Sequence, residues 1–121
     1  MLTKKIRVLI VDDSIFFREN LRKAFQGDNQ IEVVGTAADP FEARDKILTL
    51  NPDVLTLDIE MPKMNGIEFL EKLIPQYPIP VVVVSGAPVS AFDALDAGAV
   101  DFVKKPQIHG AYDLNVFANE M

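Results

Sequence analysis

The sequence contains no cysteine, which excludes disulfides, thiolate metal sites and cysteine nucleophiles. Histidine is nearly absent: His109 is the single example, and it reads as a loop residue rather than a catalyst. No cluster of Lys and Arg is present, and the net charge of −6 argues against direct nucleic-acid binding. Long hydrophobic runs are missing as well. The stretch Ile79 to Val84 falls far short of the roughly 20 apolar residues a membrane-spanning helix needs. Met1 to Lys5 lack the apolar core of a signal peptide. These absences lead to the expectation of a cytoplasmic protein with no membrane insertion. No linker, low-complexity tract or internal repeat interrupts the 121 residues, so one domain spanning 1–121 is expected.

What the chain does contain is an alternation of short apolar runs and helical patterns. With 49% apolar residues it can build a real core. Ile6–Val11 is a continuous apolar run of the kind buried on both faces of a sheet. Ser14 is placed to cap a helix to about Phe25, with Ile15, Leu21, Ala24 and Phe25 at helical spacing. Ile31–Thr36 reads as a second strand. Asp39-Pro40-Phe41-Glu42 then supplies an N-cap, an N1 proline and a glutamate at N3, opening a helix that carries Phe41, Ala43, Ile47 and Leu50. Val54–Leu57 is a third strand. Asn65-Gly66 turns into a helix with Ile67, Phe69, Leu70, Leu73 and Ile74, and Pro75, Pro78 and Pro80 punctuate the stretch after it. Val81–Val84 and Val100–Val103 are the last two strands, separated by a short helix around Ser90–Asp96 that Gly98 stops. So short a helix must rely on packing, for which Ala91, Phe92 and Leu95 are the candidates. The tail from about Gly110 is expected to be helical. Five strands alternating with five helices predict an α/β fold with a doubly wound parallel sheet.

The strand ends carry the chemistry. Asp12 and Asp13 follow the first strand and Asp58 follows the third. Carboxyl-terminal strand ends of such a sheet share one rim, where ligands bind. Crowded carboxylates repel one another, and a hard divalent cation such as Mg²⁺ relieves that. One carboxylate oxygen of Asp58 can then face outward as a nucleophile toward a phosphoryl donor, forming an aspartyl phosphate. Ser85, after the fourth strand, offers a hydroxyl, with Gly86 leaving room beside it. Lys105, after the fifth, offers a cation, and Glu60 can give a backbone carbonyl to the metal. Each has a blander reading: a surface lysine, a turn serine, a solvated loop glutamate. Their co-occurrence at four of five strand ends favours a single pocket.

The segments VDDS (11–14), LDIEMPKMNG (57–66), VVVSG (82–86) and FVKKP (102–106) resemble the receiver domain of two-component response regulators. The resemblance implies the flavodoxin-like strand order 2-1-3-4-5. It implies Asp58 as phosphoacceptor, with Asp12, Asp13 and the Glu60 carbonyl serving Mg²⁺. Ser85 becomes the switch hydroxyl, Lys105 the phosphate-contacting lysine, and a cis peptide is implied before Pro106. Phe102 stands where the family places a switch aromatic, and its ring has no hydroxyl to donate. VVGTAADPFEARDKI (33–47) and GIEFLEKL (66–73) are similar to the N-terminal receivers of chemotaxis protein-glutamate methylesterases (CheB). The partners so implied are a CheA-like sensor histidine kinase and an effector domain or downstream protein. The chain has no Gly-x-Ser-x-Gly elbow, so no esterase activity is expected of it; a longer parent can carry one. Sixteen residues separate Ser85 from Phe102, fewer than in those receivers, which shortens the fourth helix. A receiver-like interaction domain that does not switch is the alternative reading. An aspartate-nucleophile phosphohydrolase would place a second aspartate two residues past the nucleophile, where Glu60 stands. A flavodoxin-like cofactor site would need a glycine- and hydroxyl-rich loop in place of Asp12-Asp13-Ser14.

Overall fold

Each strand of this chain is flanked by a helix that buries what the strand exposes. The computed structural model describes residues 5–59, 65–85 and 91–104. Its elements run β1 (Ile6–Val11), α1 (Ile15–Gln26), β2 (Ile31–Ala37), α2 (Pro40–Leu50), β3 (Val54–Leu57), α3 (Gly66–Gln76), β4 (Val81–Ser85), α4 (Ala91–Asp96) and β5 (Asp101–Lys104). The strands form one parallel sheet in the order β2-β1-β3-β4-β5. This is the doubly wound, flavodoxin-like arrangement expected from the sequence. The expected tail helix lies outside the described residues.

Alternation along β1 explains the two layers. Leu9 and Val11 face one core with Leu55, Leu57, Val81 and Val83, covered by Ile47 of α2, Phe69, Leu70 and Leu73 of α3, and Ala94 of α4. Val8 and Ile10 face the other, with Val84 and with Phe17, Leu21 and Phe25 of α1. Strand side chains alternate between faces, so a strand covered on both sides reads as an unbroken apolar run. Burying each Leu or Ile contributes about 1.5–3 kcal/mol.

The helix starts follow from their caps. The Ser14 hydroxyl accepts from the Phe17 amide at 3.2 Å. Asp39 Oδ1 accepts from the Glu42 amide at 2.9 Å, and Glu42 Oε1 accepts from the Ala38 amide at 3.2 Å. That is a capping box whose return bond falls one residue early. α2 ends at Asn51, which takes a positive φ of 49°. Its Oδ1 accepts from the Tyr77 hydroxyl, and its carbonyl accepts from Arg7 Nη1.

Several sequence expectations are corrected. Pro75 lies inside the last turn of α3 rather than after it; the helix ends one residue later. Ile15 and Phe41, placed on buried stripes, are exposed, and Phe17 holds the core position in α1. In α4 the packing residue is Ala94, fully buried, whereas Phe92 and Leu95 are 72% and 48% exposed. The Ala91 side chain lies outside the described residues. Gly98 does stop α4, with φ +118°. The Ala99 amide donates to the Ala94 carbonyl and the Gly98 amide to the Leu95 carbonyl. This is a Schellman closure, with Ala94 and Ala99 as its apolar contact.

Candidate functional site at the carboxyl-terminal rim

Register brings the rim residues together. Val11 pairs with Leu57 between β1 and β3, so Asp12 and Asp58 are the next residues on adjacent strands. The ladder continues through both: the Asp12 amide donates to the Ala37 carbonyl at 3.0 Å, and the Asp58 amide to the Val11 carbonyl at 2.9 Å. Asp12 and Asp58 are buried, and Asp13 faces solvent. One carboxylate oxygen from each of the three lies within 4.8 Å of the others. Ser85 ends β4 fully buried, in register with Lys104. Phe102, in register with Val83, is half-buried against the core. Lys105, Glu60, Gly86 and Pro106 lie outside the described residues, so the expected cation, carbonyl ligand and cis peptide are not part of this geometry.

The corner between β1 and α1 is held from several sides. Asp12 Oδ1 accepts from the Ser14 amide at 2.8 Å. Arg18 Nη1, one turn into α1, donates to the Asp12 carbonyl at 2.8 Å. Sequence reasoning misses Arg18, although its place one turn after the Ser14 cap is a signal that could find it. Gly66 reads in the sequence as a turn residue, and the structure gives it a stricter task. A Cβ there would stand 2.6 Å from the Ile59 Cα and 2.7 Å from the Asp58 carbonyl oxygen. The Gly66 amide donates to the Ile59 carbonyl at 2.8 Å. Only a residue without a side chain lets α3 start this close to the strand end that bears Asp58.

The donor set suits a hard cation. Ligands of an octahedral Mg²⁺ at about 2.1 Å lie no more than about 4.2 Å apart, and three carboxylate oxygens within 4.8 Å need little adjustment to meet that. The charge distribution points the same way. Two carboxylates as buried as Asp12 and Asp58 repel by about 3 kcal/mol at this separation with an effective dielectric near 20. Oxygen donors without sulfur or imidazole favour magnesium or calcium over zinc.

The chain is similar to known proteins. The family described as "Response regulator receiver domain" matches residues 8–112. A protein-glutamate methylesterase/protein-glutamine glutaminase of Syntrophomonas wolfei is 54% identical over 121 residues, covering 100% of this chain and 36% of that protein. One from Syntrophotalea carbinolica is 55% identical over 122 residues, with 98% and 35% covered. The chain thus spans about a third of the length of the curated relatives it matches. Among solved structures, the response regulator domain of Thermotoga maritima CheB superposes with a TM-score of 0.84 at 42% identity, covering 97% of this chain and 90% of that one. A CheX–CheY complex with beryllofluoride and magnesium from Borrelia burgdorferi gives 0.79 at 32% identity, covering 98% and 91%.

Proposed function

Since the chain belongs to the response regulator receiver family, and within it is akin to the receivers of CheB methylesterases, we propose that it is a phosphoryl-accepting switch whose acceptor is Asp58. The observation that carries this reading is the approach of the Asp12, Asp13 and Asp58 oxygens to within 4.8 Å at the sheet rim. One Asp58 oxygen forms a bond to phosphorus as the donor's phosphorus–nitrogen bond breaks, and the leaving imidazole of a phosphohistidine takes a proton. Asp12, Asp13, Asp58 and the backbone carbonyl of Glu60 are the residues to hold Mg²⁺, which when bound neutralises charge on the phosphoryl oxygens. Arg18 and Gly66 keep the two strand ends in place. Ser85 gives its hydroxyl and Lys105 its ammonium to the phosphoryl group. Phe102 reports the change through packing, having no hydroxyl.

The donor is a CheA-like sensor histidine kinase, and the recipient of the signal is an effector domain or downstream protein in chemotaxis. The relatives' names suggest a methylesterase as that effector. The receiver itself is no enzyme beyond turnover of its own aspartyl phosphate. A cytoplasmic setting fits such a kinase, and no helix among the described residues is long and apolar enough to cross a membrane.

Acetyl phosphate with Mg²⁺ is expected to add one phosphoryl mass to the intact protein and none to Asp58→Asn. Mg²⁺ at a hundredfold excess over its Kd is expected to stabilise the fold by about 2.7 kcal/mol. Equal labelling of the Asn variant, or a melting temperature indifferent to Mg²⁺, refutes the reading.

A further inference from the structure

A cavity of about 300 Å³ lies away from the acidic rim, in the trough between α2 and α3. Its floor is core: Ile47, Phe69 and Leu73 are all under a tenth exposed. Its lip is different. Phe41 is 44% and Leu48 67% exposed, two large apolar side chains seven residues apart, about 10 Å along the helix. Among the described residues, the charged side chains lining the trough are Arg44 on α2 and Lys72 on α3. Both are cations, in a chain with 18 acidic and 12 basic residues. Arg44 reaches Asp45 at 3.8 Å with both side chains well exposed, a pairing too weak to keep it from another carboxylate. At one end Tyr77 is fixed by its hydroxyl bond to Asn51 Oδ1 at 2.6 Å.

We propose that this trough docks an acidic amphipathic helix of a partner protein. Helix-in-groove recognition lays anchors at i, i+3 or i+4, and i+7 into an apolar channel. The spacing of Phe41 and Leu48 matches two turns of such an anchor stripe. A cation on each wall selects a helix with carboxylates on both flanks of its apolar face, and rejects a basic one. Phe41 and Leu48, which contribute little to this chain's own core, gain a partner for their apolar surface. None of Asp12, Asp13, Asp58 and Ser85 lines the trough, so a helix docked there leaves the acidic rim uncovered.

The test is an amide-shift titration of the ¹⁵N-labelled protein with two synthetic helical peptides. Both carry leucines at i, i+4 and i+7; one is flanked by glutamates, the other by lysines. The acidic peptide is expected to shift amides in 40–50 and 66–77 saturably, and to bind at least about tenfold more tightly than the basic one. Leu48→Glu and the double change Arg44→Glu, Lys72→Glu are expected to weaken it by about tenfold or more. These are surface changes, and an unchanged melting temperature shows that the fold survives. Four results overturn the proposal: no shifts, shifts centred elsewhere, equal binding of the basic peptide, or saturation of the trough by a small apolar carboxylate such as phenylbutyrate as tightly as by the peptide. A concentration-dependent dimer that Leu48→Glu abolishes also overturns it, assigning the trough to a second copy of the chain.

Discussion

The two ends of the carboxyl-terminal rim are built differently. Where β1 meets β3, Asp12 and Asp58 sit one residue beyond their strands and still take part in the ladder. A turn on Ser14, a bond from Arg18 and the bare Cα of Gly66 complete the setting. Beside β4 and β5, by contrast, α4 has six residues. Among its described side chains Ala94 is the fully buried one, while Phe92, Leu95 and, just beyond, Val100 are exposed to different degrees. The closure of α4 at Gly98 is hydrogen-bonded. A site for charged chemistry needs fixed geometry, whereas an element that reports on that site needs a low cost of displacement. Under the proposed function, the rim at β1 and β3 would supply the first and α4 the second.

The sharpest way to break this contrast is to cut into the rigid end. Leu57, fully buried immediately before Asp58, is expected to cost about 2–5 kcal/mol as Leu57→Ala, read by urea denaturation. A loss below about 1 kcal/mol would mean the rim is not supported by close packing. Next comes Gly66→Ala. The atoms its Cβ meets are backbone, which cannot rotate away. The change is expected to cost about 1–3 kcal/mol and to slow acetyl phosphate labelling of Asp58 at saturating Mg²⁺. Unchanged labelling would show that α3 and Asp58 move independently. The smallest effects belong to α4. Gly98→Ala is expected to cost about 1–2 kcal/mol, because of its positive φ and the approach of its Cβ to Ile74 at 3.0 Å. Val100→Thr, at a side chain 61% exposed just beyond α4, is expected to stay within about 0.5 kcal/mol of the parent in the same denaturation assay.

Legibility in the sequence divides along the same line. The β1 and β3 ends are readable because an apolar run ending on Asp12 or Asp58 is costly unless the carboxylate is used. Asp39-Pro40 and Gly98 carry local rules that need no tertiary information. Strand order is not derivable from the chain's own periodicity and comes from resemblance. α4 misleads because six residues hold too few turns for a stripe to declare itself, and the small Ala94 is buried in place of the large Phe92. In α2, Phe41 and Ile47 are equally apolar, and composition cannot tell which faces the sheet. Gly66 looks like a turn glycine, since its contact is with backbone that folds back from seven and eight residues earlier.

That contact limits how the molecule can be recombined. Asp58, Ile59 and Gly66 meet backbone to backbone, so the end of β3 and the start of α3 must be inherited together. A chimaera that grafts α3 from a relative must carry the segment from Leu57 onward with it, or leave the junction intact and begin beyond Gly66. A seam placed between them would join two halves shaped for different neighbours. Randomised libraries gain nothing at position 66, where even the smallest side chain collides. Variation aimed at new partners is better spent on the outward faces of α2 and α3, which can change without disturbing the strand end they lean on.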